Sequence, residues 1–83
     1  MESILKENDL FKSNDLSLVA TLQLYDYQVD SMDRSNSEKI VFIIKRNGEL
    51  DNLIKSFWSR SLSVEPLAYF ESIKNIKARI YQQ

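Results

Sequence analysis

The acidic side chains whose spacing comes closest to a chemical site are Asp26, Asp30 and Asp33. Carboxylates of this kind suit a hard cation such as magnesium. In an extended strand, however, Asp26 and Asp30 would lie about 13 Å apart, which is too far for both to bind one ion. We therefore predict a solvated sheet edge at these residues, with no metal site and no cofactor.

The chain contains neither histidine nor cysteine. Their absence removes the commonest general base, the usual zinc ligands and most nucleophilic dyads. One glycine in the whole chain is too few for a glycine-rich phosphate loop. The sequence therefore predicts a protein that is not an enzyme and has no catalytic residues.

A group of basic side chains could bind phosphate, and it gives the alternative hypothesis of a nucleic-acid-binding module. Two of its members, Lys74 and Lys77, are three residues apart and would be neighbours on a helix, where Tyr81 could offer a stacking surface. Against this hypothesis stand Glu71 beside Lys74 and an isoelectric point near 5.3. The candidate residues are Lys45, Arg46, Lys74, Lys77 and Arg79.

Three other side chains point to a protein partner. Trp58, Arg60 and Tyr81 are of the types that dominate the binding energy of protein interfaces. A small domain with four Phe, four Tyr and one Trp does not bury all of its aromatic rings. We predict these three residues as partner-binding residues. Homo-oligomerisation through spare aromatics and an exposed strand edge is compatible with this hypothesis.

The composition is that of one folded domain. Of the 83 residues, 43% are hydrophobic, which is typical of a globular chain and far from the disordered class. We predict a polar tail at residues 1–9 and a single domain at residues 10–82. Acidic residues interrupt the start of the chain before a signal peptide could form, and no run is long enough to span a membrane. A cytoplasmic location is the expectation.

The segment Lys39–Arg46 is expected to organise the fold, because it holds five consecutive apolar residues rich in isoleucine. We interpret it as the core strand. The alternation at Tyr27–Met32 predicts an edge strand, and the polar segment Asp33–Glu38 predicts the loop that joins the two strands as an antiparallel pair. A short extended segment, Leu10–Lys12, precedes the first helix.

Three helices are predicted around this sheet. The first begins with Ser13 as N-cap and Asp15 in its first turn. Asn47 caps the second, and Ser63 or Glu65 caps the third, with Pro66 in the first turn. In the second helix the apolar residues follow the spacing of a single face; they are Leu50, Leu53, Ile54, Phe57 and Trp58. In the third helix the residues predicted to point inward are Tyr69, Phe70, Ile73, Ile76 and Ile80. The predicted fold class is α+β, with a small three-stranded, mostly antiparallel sheet, about three helices packed on it and the order β-α-β-β-α-α.

Several of these segments together resemble a known family. They are the run Phe11–Ala20, the strand that contains Phe42, the helix Leu50–Trp58 and the segment Val64–Phe70. This pattern, from about Phe11 to Tyr81, is similar to a family of small bacterial, archaeal and phage proteins known as a domain of unknown function. The resemblance implies a small accessory protein, often associated with phages or mobile elements, and assigns no activity to any residue.

From these observations we expect a non-catalytic protein-binding accessory, acting as an adaptor or an inhibitor of an unknown protein partner. The resemblance adds the possibility that a phage or mobile element encodes it. Binding of nucleic acid through the last helix and Lys45 and Arg46 is the alternative.

Overall fold

The structure, a computed structural model, describes residues 9–36 and 38–82. Three strands and three helices follow one another in the predicted order β-α-β-β-α-α, and the α+β fold class is confirmed. The predicted tail, residues 1–9, lies outside the described residues except for Asp9, whose carbonyl oxygen accepts a hydrogen bond from the N–H of Arg46 (2.8 Å). The elements are β1 (Leu10–Ser13), α1 (Leu16–Leu24), β2 (Val29–Asn36), β3 (Lys39–Lys45), α2 (Leu50–Trp58) and α3 (Pro66–Tyr81).

β3 is the central strand of the sheet. The strand order is β1-β3-β2, and both neighbours run antiparallel to β3. Phe11 in β1 and Val29 in β2 both lie opposite Ile44, so these three side chains share one face of the sheet. The interpretation of the isoleucine-rich run as the organising strand is therefore confirmed.

The two faces of β3 differ in burial. Phe42 and Ile44 are buried, whereas Val41 and Ile43 on the opposite face are half-buried. On that second face Ile43 lies opposite Lys12 and Ser31, and both of these side chains are exposed. The helices therefore cover the face that carries Phe42 and Ile44.

β2 extends further than the alternating pattern indicated. It runs from Val29 to Asn36, with Asp33 opposite Val41 and Asn36 opposite Lys39. The predicted limits, a strand at Tyr27–Met32 and a loop at Asp33–Glu38, were therefore wrong. Polar side chains are tolerated in the second half of β2 because it is an edge strand whose side chains there are exposed.

α1 begins two residues later than predicted. Asp15, not Ser13, is the N-cap: its Oδ1 accepts hydrogen bonds from the N–H of Leu18 (3.1 Å) and the hydroxyl of Ser17 (3.0 Å). Ser13 remains in β1, opposite Phe42, and its Oγ accepts the N–H of Asp15 (3.0 Å). Because β1 pairs with β3, the backbone of Ser13 stays extended, and the helix is capped by Asp15 instead.

α1 is the most deeply buried helix. Four of its apolar side chains are buried in the core, together with Leu50 from α2 and Ile76 from α3; the four are Leu18, Val19, Ala20 and Leu22. Between α1 and α3, the buried hydroxyl of Ser72 donates to the carbonyl oxygen of Ala20 (2.9 Å). This bond satisfies a polar group at the place where the two helices touch.

α3 starts and ends with specific hydrogen bonds. Glu65 is its N-cap and accepts a hydrogen bond from the N–H of Ala68 (2.7 Å), and Pro66 lies in the first turn. Of the two residues predicted as possible caps, Ser63 and Glu65, the structure therefore uses Glu65. At the other end, the guanidinium of Arg34 in β2 donates to the carbonyl oxygens of Arg79 and Ile80, both at 3.0 Å. Because the last carbonyls of a helix lack partners within the helix, Arg34 fastens α3 to the sheet.

The predicted inward face of α3 was wrong at one residue. Ser72 and Ile76 are buried, and Tyr69, Ile73 and Ile80 flank them, but the side chain of Phe70 is 56% exposed. Phe70 lies about 120° around the helix from the buried centre, too far to reach α1 or the sheet. In α2, Trp58 follows the apolar spacing of the helix, and its side chain is exposed.

Within the described residues, no helix combines the length and the apolar character needed to cross a membrane.

Candidate protein-binding surface

The residue Arg60 lies at an unusual backbone position immediately after α2. The N–H of Arg60 donates to the carbonyl oxygen of Phe57 and that of Ser61 to the carbonyl oxygen of Ser56, both at 3.0 Å. This pair of bonds is the Schellman motif, which requires a left-handed residue and usually uses glycine. Arg60 takes that position with φ 64°, at a cost in free energy that glycine would avoid.

Trp58 is the last residue of α2, and its side chain is 61% exposed. Its ring meets the half-buried ring of Phe57 edge to face, with centroids 4.9 Å apart and planes at 85°. This arrangement is a favourable one for two aromatic rings. Phe57 therefore fixes the position of Trp58 from the core side and leaves most of the indole in solvent.

Two further exposed apolar side chains lie at this end of the domain, Tyr25 and Val64. The hydroxyl of Tyr25 donates to the carbonyl oxygen of Ser63 (2.9 Å), which ties the end of α1 to the segment between α2 and α3. An open groove of about 350 Å³ separates them, lined by Leu24, Tyr25, Ser63, Val64, Glu65 and Ala68. We call Trp58 and Arg60, at the end of α2 and the start of the segment that leads to α3, the α2–α3 corner.

A larger open cleft, of about 570 Å³, lies on the other side of Tyr25. Its floor includes Asn47, whose Oδ1 accepts hydrogen bonds from the hydroxyl of Tyr27 (2.6 Å) and from the N–H groups of Glu49 (3.0 Å) and Leu50 (3.1 Å). Asn47 was predicted to cap α2, but the N-cap is Glu49, whose side chain makes no capping hydrogen bond. Asn47 lies two residues earlier and accepts the N–H groups of Glu49 and Leu50 from there. Several polar groups of the cleft are therefore hydrogen-bonded to one another.

The three predicted partner-binding residues do not form one patch. Trp58 is the last residue of α2, and Arg60 follows it by two residues. Ser56 lines the large cleft with Tyr25, and Trp58 lies about 160° around the helix from Ser56, so its side chain faces away from that cleft. Tyr81, with 79% of its side chain exposed, is the last residue of α3. The length of α3 places it about 22 Å from the first residue of that helix.

The predicted nucleic-acid-binding residues are divided between two sides of the domain. Lys45 forms an ion pair with Asp30 (3.7 Å) on the sheet face that the helices leave open. Arg46 pairs with Asp51 and lies over the ring of Phe11, 5.7 Å from its centroid. The remaining residues, Lys74, Lys77 and Arg79, belong to α3, which packs on the opposite side of the sheet.

The three acidic residues considered as metal ligands, Asp26, Asp30 and Asp33, occupy three different settings. Asp26 lies in the turn after α1 with φ 73°, and Asp30 pairs with Lys45. The N–H of Ser35 donates to the carboxylate of Asp33 (2.9 Å); with smaller help from the Ser35 hydroxyl and the charge of Lys12, it holds the pKa of Asp33 below its usual value. In residues 9–36 and 38–82, no group of three or more His, Cys, Asp or Glu side chains could hold a metal ion.

The sequence interpretation missed an exposed apolar surface on α3. Leu67, 61% exposed, and Phe70 lie on the side of the helix that faces away from α1. A signal for it was present, because Leu67, Phe70, Lys74, Ala78 and Tyr81 recur at intervals of three or four residues, the spacing of one helical face. Periodicity alone does not say which of two apolar faces packs inward.

Comparison with known proteins places the chain in a family. No curated protein and no solved structure matches it. One family model does, that of the Domain of unknown function (DUF5659), over residues 8–82. This range contains every strand and helix described above and includes the segment from Phe11 to Tyr81 on which the resemblance rested. The chain therefore belongs to the DUF5659 family.

Proposed function

We propose that this domain is a non-catalytic protein-binding accessory, an adaptor or inhibitor, which contacts its partner through Trp58 and Arg60 at the α2–α3 corner. The observation that carries the proposal is the exposure of Trp58, a large apolar side chain at a helix end whose ring packs edge to face on that of Phe57. Tryptophan and arginine are the residues most enriched among those that dominate binding energy.

The backbone at Arg60 supports the same proposal. Glycine at this left-handed position would be more stable by about 1 kcal/mol. With arginine at this position the domain is therefore less stable than it would be with glycine. Residues in such strained backbone conformations occur more often at functional positions than elsewhere. The neighbouring groove beside Tyr25 and Val64 offers a place for an apolar side chain of the partner.

The setting of this function is also part of the proposal. The absence of cysteine fits a reducing, cytoplasmic compartment. A phage or mobile element as the source is carried over from the family resemblance. An accessory of this size would act by covering a surface of a larger protein or by bridging two proteins.

Affinity purification with the tagged protein tests the proposal. Because Trp58 is exposed, Trp58→Ala should lower the free energy of unfolding by no more than about 1 kcal/mol. It should nevertheless weaken binding of the captured partner at least about 30-fold, the effect of losing a central interface residue. Arg60→Gly should bind less tightly while melting about 4 to 8 °C higher.

Ser31→Ala is the control, since Ser31 is exposed on the sheet face that the helices leave open, away from the corner. It should retain the partner at the level of the original protein. The proposal is wrong if a partner binds the original protein and Trp58→Ala equally, or if Trp58→Ala unfolds the domain and thereby identifies Trp58 as a core residue.

Binding of single-stranded nucleic acid stays the second candidate, and one contact favours it. The ammonium of Lys74 lies 5.2 Å from the ring centroid of Phe70, on a helix face that also carries exposed Lys77 and Tyr81. Positive charge beside aromatic rings is the usual surface for unpaired bases.

Fluorescence anisotropy with DNA and RNA tests the binding of nucleic acid. An affinity that falls by orders of magnitude between about 50 and 200 mM salt would support this function. No binding at low salt would exclude it.

A further inference from the structure

The open cleft of about 570 Å³ between the end of α1 and the start of α2 has an acidic lining. Its charged lining residues are Asp26 and Glu49, and in the part of the chain that the structure describes no basic residue lines it. The adjoining groove contains Lys45 and Arg46, but each of these forms an ion pair with an aspartate outside the cleft. We call this space the acidic cleft, and its volume is in the size range of ligand-binding sites.

The two carboxylates of the acidic cleft come from different elements. Asp26 lies in the turn after α1, where its backbone is left-handed with φ 73°, and it is exposed. Glu49, the N-cap of α2, is also exposed. Asn52 and Ser56 follow Glu49 at intervals of three and four residues, so one polar face of α2 lines the cleft. The cleft therefore combines two carboxylates with further oxygen acceptors.

The fold itself uses neither carboxylate. Among residues 9–36 and 38–82, the carboxylate of Asp26 forms no hydrogen bond or ion pair, and that of Glu49 makes no capping bond. Asn47 accepts the N–H groups at the start of α2 instead. Glu49 and Asp51 also offset the positive end of the α2 dipole, which reduces its repulsion of a cation. Both cleft carboxylates are therefore available to a group from outside the domain.

Two tyrosines flank Asp26 and line the same cleft. The hydroxyl of Tyr25 donates to the carbonyl oxygen of Ser63 (2.9 Å), and that of Tyr27 donates to Oδ1 of Asn47 (2.6 Å), so both rings are tied down at their hydroxyl ends. Aromatic rings attract cations, and carboxylates accept charge-assisted hydrogen bonds from ammonium and guanidinium groups. The lining is therefore complementary in charge and in hydrogen bonding to a cation that carries N–H donors.

We propose that the acidic cleft binds a lysine or arginine side chain of a protein partner. The cleft is separate from the α2–α3 corner, because Trp58 faces away from it. The proposal therefore stands without the corner. Exposed ion pairs contribute little individually, so one basic side chain in a short peptide should bind with a Kd on the order of 1 mM.

Nuclear magnetic resonance titration of the ¹⁵N-labelled protein tests the acidic cleft. The probes are two short capped glycine peptides, one with a central lysine and one with norleucine, which has a similar length and no charge. Up to about 10 mM, the lysine peptide should shift the backbone amide signals of residues 25–27 and 47–56 and approach saturation. The norleucine peptide should leave them in place.

Two substitutions remove one charge each from the cleft. Asp26→Asn and Glu49→Gln should each weaken the lysine peptide at least about 5-fold. Both should fold, since asparagine tolerates a left-handed backbone and the Glu49 side chain caps nothing. Glu71→Gln is the matched control, because it makes the same change of net charge at an exposed position of α3 and should bind the peptide like the original protein.

Three results would overturn the proposal. They are amide signals of the cleft that do not move at about 10 mM lysine peptide, equal shifts with the norleucine peptide, and undiminished binding by both Asp26→Asn and Glu49→Gln. None of these results depends on whether the α2–α3 corner contacts a partner.

Discussion

Replacement of Ile44 by alanine will remove a large fraction of the free energy of unfolding, whereas the same replacement at Ile43 will remove little of it. Ile44 is 1% exposed and packs on the face shared with Phe11 and Val29. Truncating a buried isoleucine costs about 2 to 5 kcal/mol, because the lost burial is joined by a cavity. A domain of this length has roughly 4 to 12 kcal/mol of stability in total, so the loss is a large fraction of it.

Ile43 provides the control because it is the same residue type, one position away in the same strand. It is half-buried on the face that the helices leave open. Ile43→Ala should cost about 1 kcal/mol, in proportion to its smaller burial. Urea denaturation followed by circular dichroism measures both values. Equal costs at the two positions would contradict a sheet covered on one face.

Replacement of Asn47 by alanine should lower the free energy of unfolding by about 2 kcal/mol. The Oδ1 of Asn47 accepts hydrogen bonds from the N–H groups of Glu49 and Leu50 and from the hydroxyl of Tyr27. Alanine removes this acceptor and leaves the N–H groups of Glu49 and Leu50, at the start of α2, without it. It also detaches the turn after α1 from the start of α2, where Leu50 is buried in the core.

Two variants separate the contributions at Asn47. Asn47→Asp keeps an acceptor oxygen and adds negative charge near a helix N-terminus, so its stability should stay within about 0.5 kcal/mol of the original. Tyr27→Phe removes one hydrogen bond and should cost about 0.5 to 1 kcal/mol. Thermal unfolding monitored by circular dichroism measures all three variants. Asn47→Ala as stable as the original protein would show that the hydrogen bonds of Asn47 do not stabilise the start of α2.

The order of strands and helices was predictable because each element has a strong local pattern. The isoleucine-rich run Ile40–Ile44 is too short for a helix, and α2 has one continuous apolar face. The limits of the elements were less predictable. Ser13, Asn14 and Asp15 are all good N-caps, and the choice of Asp15 depends on the pairing of β1 with β3. The polar second half of β2 carries no alternation, because its side chains face solvent.

The candidate site was predictable in residue type but not in arrangement. Trp58, Arg60 and Tyr81 stand out by composition, and each is exposed. Their separation follows from the antiparallel packing of α3 on α1, which no local pattern encodes. The inward placement of Phe70 failed because α3 is apolar on two faces, and its packing against α1 through Ser72 and Ile76 decides between them.

Site-specific photocrosslinking in cells tests the central claim, that the α2–α3 corner contacts another protein. A photoreactive amino acid at position 58 should give a light-dependent adduct with a different protein, and the same amino acid at position 31, on the open sheet face, should not. An adduct with a second copy of this chain at position 58 would contradict the claim. So would the absence of any adduct at position 58, or adducts of equal yield from positions 31 and 58.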